Sequence, residues 1–360
     1  MNLFFEGKLP ESQAPDRWQH LKRLVSRGLT TLIALSTILI AFVGFRFWRW
    51  SDERNRVIDE GSQIANTSRG SIEYTLFGET GPVVLSIHGV MGGYDFGLGT
   101  AQMLELDKAG FRVLSVSRPG YLNTPLHENN LTPADQADLY AALLDYLDIQ
   151  SVALIAVSGG GPSALEFANR YPERVWGIIM AIAITYQWEH NEASQEGTAY
   201  LDFPPILVDL TIWFSEEILL KLDTKGAIRQ TLVDNTNLEP SKIEEIADQA
   251  AQDTEKVNNL KRTFRDSTPL SRRWEGTEND LVQQQNLMAT PDYSLIQSPV
   301  LAFYGEKDPV VPLLHGQYLE NSLNNVEIYF APEGGHAPFL QNHWSFIKNR
   351  SVSFLQENIP

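Results

Sequence analysis

The strongest constraint on the fold is a set of short apolar runs without the polar alternation of a half-exposed strand. Val152-Ala153-Leu154-Ile155-Ala156-Val157 and Val300-Leu301-Ala302-Phe303-Tyr304 hold no charged residue, and Val83-Val84-Leu85-Ser86-Ile87 holds a single hydroxyl. Strands apolar on both faces must be covered on both faces. Further short runs are expected as strands at Ile72–Phe77, Arg112–Val116, Val175–Ile184 and Val326–Phe330. Helical stretches lie between them, at Gly99–Lys108, Ala134–Leu147, Pro162–Arg170, Leu313–Asn321 and Trp344–Gln356. This interleaving predicts an α/β fold: a mostly parallel sheet of about eight strands with helices on both faces.

The alternation stops after Ile184 and resumes near Ser298. The residues between read as helical at Pro205–Leu222, Ser241–Gln252 and Lys256–Arg265. They predict a helical cap, residues 185–297, inserted between two parts of a core at 69–184 and 298–360. A cap there lies over the C-terminal ends of the strands, where open α/β sheets bind ligands. Phe203–Leu222 is rich in Leu, Ile, Phe and Trp. It reads as a cap helix packed on the core; a sharper reading is an acyl-chain groove or a surface dipping into a bilayer.

Ahead of the core, no charged residue occurs from Gly28 to Phe45, a run of 18 residues. At about 1.5 Å per residue a helix of that length covers about 27 Å, close to a hydrocarbon core of about 30 Å. Phe47, Trp48 and Trp50 follow, mixed with Arg46 and Arg49, a composition suited to the headgroup layer. A retained single transmembrane helix is predicted at 28–50, after an N-terminal tail at 1–27 and before a polar linker at 51–68. A cleaved signal peptide fits less well, because Glu6, Glu11 and Asp16 precede the run and no A-x-A-like site follows it. Orientation is a tie: Arg17, Lys22, Arg23 and Arg27 face Arg46, Arg49, Arg54 and Arg56 across the span.

The formal net charge is −17, and residues 1–56 run the other way with nine basic and five acidic side chains. An acidic body repels a phosphate backbone, so nucleic acid is not an expected partner. Cysteine is absent, which excludes thiol nucleophiles and Cys-based metal sites. No H-E-x-x-H spacing occurs, and no metal is expected.

The chemistry is expected where Val152–Val157 leads through Ser158-Gly159-Gly160-Gly161 into Pro162-Ser163-Ala164-Leu165. A serine on so sharp a strand-to-helix turn needs small neighbours, supplied by Ala156 and Gly160. Here the chain resembles the α/β-hydrolase superfamily, with Ala156 in place of the first glycine of G-x-S-x-G. The resemblance runs from about Ser71 to Gln356, the cap excepted, and implies a serine hydrolase with Ser158 as nucleophile. It implies Asp308, in Gly305-Glu306-Lys307-Asp308-Pro309, as the acid, with Glu306 the competitor, and His336, in Gly334-Gly335-His336-Ala337-Pro338, as the base. The order Ser, Asp, His along the chain is the one this fold uses. From His88-Gly89-Val90-Met91-Gly92-Gly93 it implies an oxyanion hole made by the N–H groups of Val90 and Gly159, with His88 structural. Ser117-Arg118-Pro119-Gly120-Tyr121 matches the family's D-x-x-G-x-G segment except that Ser117 replaces the aspartate.

The expected activity is cleavage of a carboxylic ester, of a small molecule or a lipid, through an acyl-enzyme and without a cofactor. A proline-iminopeptidase-like peptidase, an acyltransferase and a haloperoxidase would share the triad. A non-catalytic binding module on the same fold is the reading from another class. Gly159-x-Gly161-x-x-Ala164 also fits a dinucleotide fingerprint, but no acidic residue ends the strand that follows. Substrate-binding residues and oligomeric state are not readable.

Overall fold

The computed structural model describes residues 15–188 and 199–360. The first part of the expected tail and one stretch of the expected cap therefore lie outside the described residues. The chain forms two compact units, residues 1–53 and Arg54–Pro360.

The described residues of the first unit form the greater part of helix α1 (Pro15–Glu60). Its apolar window has a mean hydropathy of 2.1 and no buried residue. Thr30, Thr31 and Thr37 donate their hydroxyls to the carbonyls of Ser26, Arg27 and Ile33, so these polar groups are satisfied within the helix.

The second unit is built on an eight-stranded sheet: β1 (Gln63–Thr67), β2 (Gly70–Phe77), β3 (Val83–Ile87), β4 (Arg112–Val116), β5 (Val152–Val157), β6 (Val175–Ala181), β7 (Val300–Gly305) and β8 (Val326–Ala331). The order is β1-β2-β4-β3-β5-β6-β7-β8. The pairs β1–β2 and β2–β4 are antiparallel and all others parallel. Alternate strand residues enter opposite cores. Leu85, Leu154, Ile178 and Ala302 meet helices α3 (Pro133–Tyr146) and α4 (Gly161–Arg170) on one face. Val84, Ile155, Ile179 and Phe303 meet α2 (Tyr94–Met103) and the C-terminal helix on the other. Both faces are dry, which is why these strands read as continuous apolar runs.

Between β6 and β7 the described residues form α5 (Pro205–Phe214), a π-helical turn (Ser215–Leu219) with one further α turn, α6 (Thr224–Asn235), α7 (Pro240–Gln252), α8 (Thr254–Asp266) and α9 (Trp274–Gln285). After β7 come α10 (Leu314–Ser322) and α11 (Trp344–Glu357).

Three expectations need correction. The segment 51–68 is not a linker: α1 continues to Glu60, and Gln63–Thr67 is an edge strand. Only Arg54 and Ile58, one turn apart, are buried in that last stretch of helix, a stripe too short to show as periodicity. Edge strand β1 buries Ala65 alone and is held by backbone pairing, so it carries no apolar pattern. Strand β6 stops at Ala181, not Ile184, because Ile182 turns to φ 47° and donates its N–H to Phe303. Helix α2 begins at Tyr94 rather than Gly99, and runs through glycines that look like helix breakers. Gly97 is there for closeness: a Cβ on it would lie 2.3 Å from Ser115 Oγ.

Candidate active site

Strand β5 ends at Val157 and the chain reverses at once into α4. Ser158 takes φ 48°, a left-handed conformation that side chains avoid, and this lifts its hydroxyl above the sheet edge. The turn tolerates nothing larger than glycine at Gly160, where a Cβ would sit 2.6 Å from the His88 carbonyl oxygen and 2.7 Å from that of Ile87. Strand β8 delivers Gly334, Gly335 and His336 over the same edge. The His336 N–H donates to the Asn235 carbonyl at the end of α6, at 2.8 Å. Strand β7 delivers Asp308, which is buried, whereas Glu306 is exposed.

The three side chains meet. His336 Nε2 lies 3.0 Å from Ser158 Oγ, and His336 Nδ1 lies 2.8 Å from Asp308 Oδ2. Asp308 Oδ1 accepts the N–H groups of Val310 at 2.8 Å and Val311 at 2.9 Å. With the carboxylate accepting at Nδ1–H, the ring presents its Nε2 lone pair to the serine hydroxyl.

The His88–Val90 loop lies against this turn. A Cβ on Gly89 would be 3.1 Å from Ser158 Cβ, and one on Gly159 would be 3.3 Å from the Val90 nitrogen. Among the described residues, neither the Val90 nor the Gly159 N–H donates to a carbonyl outside the regular helix and strand ladders. His88 sets the loop. Its Nε2 accepts the Arg118 N–H at 3.0 Å, so Nδ1 carries the proton and donates to the Gly89 carbonyl at 2.7 Å. The Gly89–Val90 peptide is planar, so fixing its C=O fixes the Val90 N–H on the opposite side. Burial, then the charge of Arg118, pushes the His88 imidazole well below its usual range and keeps it neutral.

A family model described as alpha/beta hydrolase fold matches residues 82–343. The chain belongs to the alpha/beta hydrolase fold family. It is an enzyme of that fold, with relatives named as hydrolases and esterases. It is 27% identical over 287 residues to "Uncharacterized hydrolase YcgS" of Bacillus subtilis, covering 80% of this chain and 95% of that protein. It is 27% identical over 278 residues to a pimeloyl-[acyl-carrier protein] methyl ester esterase of Chromobacterium violaceum, covering 76% and 95%. The solved structure of an alpha/beta hydrolase fold protein from Nakamurella multipartita superposes with a TM-score of 0.71 at 26% identity, covering 82% of this chain and 99% of that one.

Within this hydrolase fold, Ser158 and His336 open into a cavity of about 440 Å³. Its walls are largely apolar, with Phe96 and Met103 from α2, Ile212 from α5, Phe264 from α8 and Trp344 and Ile347 from α11. That volume falls in the range of about 300–1,000 Å³ typical of small-molecule sites. Of the apolar stretch Phe203–Leu222, Ile212 reaches the cavity, Val208, Trp213 and Leu220 are buried, and Phe203, Ile206, Leu207, Phe214, Leu219 and Leu222 are exposed.

Several residues that hold the site have no local sequence signal. Arg118, 2% exposed, pairs through both terminal nitrogens with Asp280 of α9, and Tyr121 Oη donates to the same carboxylate at 2.5 Å. Arg273, ahead of α9, donates to the Gly92 carbonyl at 2.9 Å and to both oxygens of Asp95. The helical segment between β6 and β7 is thus bolted to the His88–Gly93 loop and its surroundings through two arginines. Ser117, which departs from the family pattern, donates to the buried Glu73 at 2.6 Å, so strand β2 supplies the carboxylate missing from that loop. His315 accepts the Thr185 N–H at 3.2 Å, and His343 sits between Tyr329 Oη and the Pro332 carbonyl and also lines the cavity. Gly161 of the dinucleotide-like pattern is a packing residue, since its Cβ would lie 2.1 Å from the Ile184 carbonyl oxygen. Among the described residues no group of three His, Asp or Glu is placed to hold a metal ion.

Proposed function

We propose that the protein is a membrane-tethered serine hydrolase that cleaves a carboxylic ester through an acyl-enzyme on Ser158. The observation that carries this reading is the continuous relay from Asp308 to His336 at 2.8 Å and on to Ser158 at 3.0 Å. His336 Nε2 takes the hydroxyl proton as Ser158 Oγ bonds to the ester carbonyl carbon. The carbonyl oxygen becomes an alkoxide held by the N–H groups of Val90 and Gly159, each such donor lowering the barrier by about 3 kcal/mol. The alkoxide collapses, the C–O bond to the leaving alcohol breaks, and the His336 proton goes to that alcohol. Water then repeats the sequence, returning the acid and free Ser158. Asp308 holds the tautomer and stabilises the imidazolium.

An ester is favoured over an amide or other acyl bond by the esterase named among the relatives. The apolar cavity fits a small-molecule or lipid acyl group. We read residues 69–184 and 298–360 as the catalytic core, 185–297 as its cap, and 28–50 as a single membrane span. The span rests on a helix with an 18-residue window of hydropathy 2.1 that buries none of its side chains. The deciding experiment is labelling with a fluorophosphonate: the native chain reacts and Ser158→Ala does not. Absence of labelling, or equal labelling of the variant, overturns the enzyme mechanism. Resistance of the full chain to alkaline carbonate extraction tests the span.

A further inference from the structure

One surface of the cap takes no part in the chemistry above. Helix α5 turns Val208, Asp209 and Trp213 inward and Ile212 toward the cavity. Its remaining side carries Ile206 and Leu207, 54% and 50% exposed, and Phe214, 45% exposed. Phe203 just before the helix is 58% exposed, and beyond it Leu219 and Leu222 are 47% and 79% exposed. Leu207, the half-buried Leu210 and Phe214 follow i, i+3, i+7 spacing and so share one face. Large apolar side chains exposed singly are ordinary; a run of them on one short element marks a contact surface.

Two features identify what covers it. The uncharged run of α1 ends at Phe45, and the second unit begins nine residues later at Arg54. Even fully extended, that chain reaches no more than about 30 Å, so the catalytic unit stays beside any bilayer that holds the run. Arg54 in turn lies close to α5. Its guanidinium donates to the carbonyls of Arg265 at 2.7 Å and Thr268 at 3.2 Å. The N–H groups of Leu270 and Ser271, a few residues on, donate to Asp209 of α5 at 2.5 and 3.2 Å. The exposed stripe therefore belongs to the helix anchored next to the point where the tether joins the domain.

We propose that the outer face of α5 and the π turn lies in the interfacial layer of the bilayer that holds residues 28–50, an inference that rests on the membrane-span reading above. Such a helix buries its apolar side shallowly among headgroups and acyl chains. It would form the wall between lipid and the substrate cavity, since Ile212 of the same helix faces that cavity.

The chain has no cysteine, so single reporters are clean. Leu207→Cys, Phe214→Cys and a control, Tyr146→Cys, are made in the full chain. Tyr146 is 55% exposed and ends α3, outside the helices between β6 and β7. Each is labelled with an environment-sensitive fluorophore and reconstituted into phosphatidylcholine vesicles with and without nitroxide-labelled lipid. Blue-shifted, brightened emission that is quenched by the nitroxide lipid at 207 and 214, and not at 146, is the expected result. Water-like emission at 207 and 214, matching 146, overturns the docking. So does a blue shift without lipid quenching, the signature of a second copy of the chain covering the stripe. Alkaline carbonate extraction separates the two ideas: release of the chain overturns the span and the docking with it, whereas retention with water-like emission overturns the docking alone. Turnover of a water-soluble short-chain ester by all three variants, none of them in the cavity wall, verifies folding and reports on the hydrolase mechanism separately.

Discussion

Replacing Asp308 by asparagine separates the charge of the carboxylate from its packing. Asp308 Oδ1 accepts the N–H groups of Val310 and Val311 at 2.8 and 2.9 Å, while Oδ2 faces His336 Nδ1 at 2.8 Å. An amide has one oxygen and one NH2. The two backbone donors select the oxygen for the Oδ1 position; the flipped amide would set a donor against two donors and leave both N–H groups unpaired, at about 1–3 kcal/mol each. Asparagine therefore turns its NH2 toward His336, and Nδ1 must accept. The neutral ring then carries its proton on Nε2, 3.0 Å from Ser158 Oγ, where a lone pair is needed. A triad histidine held in the wrong tautomer loses about 10⁴ in kcat, or about 5 kcal/mol of barrier. Stability changes little, because volume and both Oδ1 bonds are retained. Asp308→Ala differs, since it also strips the acceptor from Val310 and Val311 and so loses turnover and stability together. The assay is kcat on a soluble chromogenic ester, with the urea midpoint of each variant in detergent. An Asp308→Asn enzyme within tenfold of the parent, or one as unstable as Asp308→Ala, refutes this account.

Three further outcomes follow from buried groups. Asp280→Ala leaves the Arg118 guanidinium charged, buried and unpaired, and should lower stability by about 3–5 kcal/mol by urea denaturation; truncating Glu327, which pairs with Arg350 on the surface, should stay within about 1 kcal/mol. Acid should destabilise the fold through two histidines. Burial pushes His315 down to about 4 and, with Arg118, holds His88 well below the usual range. Both are neutral when folded. At neutral pH and above they contribute nothing, and below about 6.5 the unfolded chain takes up protons that the folded chain refuses. For His315 this removes about 1 kcal/mol from pH 6.5 to 5.5, and His88 acts in the same direction. A flat urea midpoint over that range contradicts the assignment, and His315→Gln should flatten part of the slope. Gly160→Ala should cripple the nucleophile turn, because its Cβ meets the carbonyl oxygens of His88 and Ile87 at 2.6 and 2.7 Å and neither backbone atom can give way; an unchanged fluorophosphonate labelling rate would argue against that.

The parts of the site that sequence exposes are those whose chemistry and backbone demand coincide locally. Ser158 sits where a dry strand must reverse among glycines, Asp308 follows a strand closed by Gly305, and His336 follows the Gly334-Gly335 pair beyond β8, so each carries its own signature. The supports do not. Asp280 is one carboxylate on a polar helix, and nothing in its neighbours says that Arg118, 162 residues away, will be buried against it. Glu73 is likewise an ordinary strand residue until Ser62, Ser117 and Asn123 converge on it. The same reasoning explains the structural misses. Residues 51–60 are held through two buried positions and a guanidinium that donates to distant carbonyls, and β1 is held by backbone bonds that leave no side-chain pattern. Helices α6 and α9 went unread because few of their side chains form an apolar face: α6 buries Ile228 and Leu232, and the buried positions of α9 are largely polar.

These supports bear on how substrate reaches Ser158. Arg273 just ahead of α9 and Asp280 within it are tied to Gly92 and Asp95 and to Arg118, around the His88–Gly93 loop. Swinging α9 away would separate two buried ion pairs, each at a cost of several kcal/mol, and would release the loop that positions the Val90 N–H. An opening of that kind would admit substrate only by freeing the loop that carries Val90, the proposed oxyanion donor. Helix α5 is held differently. Asp209 ties it to Leu270 and Ser271 rather than to the loop, and the π turn after it buries no residue fully. Ile212 of α5 lines the cavity, and neither bond from Asp209 reaches the His88–Gly93 loop. Opening at α9 would break the ties around Val90, whereas opening at α5 would break the bonds of Asp209 to Leu270 and Ser271.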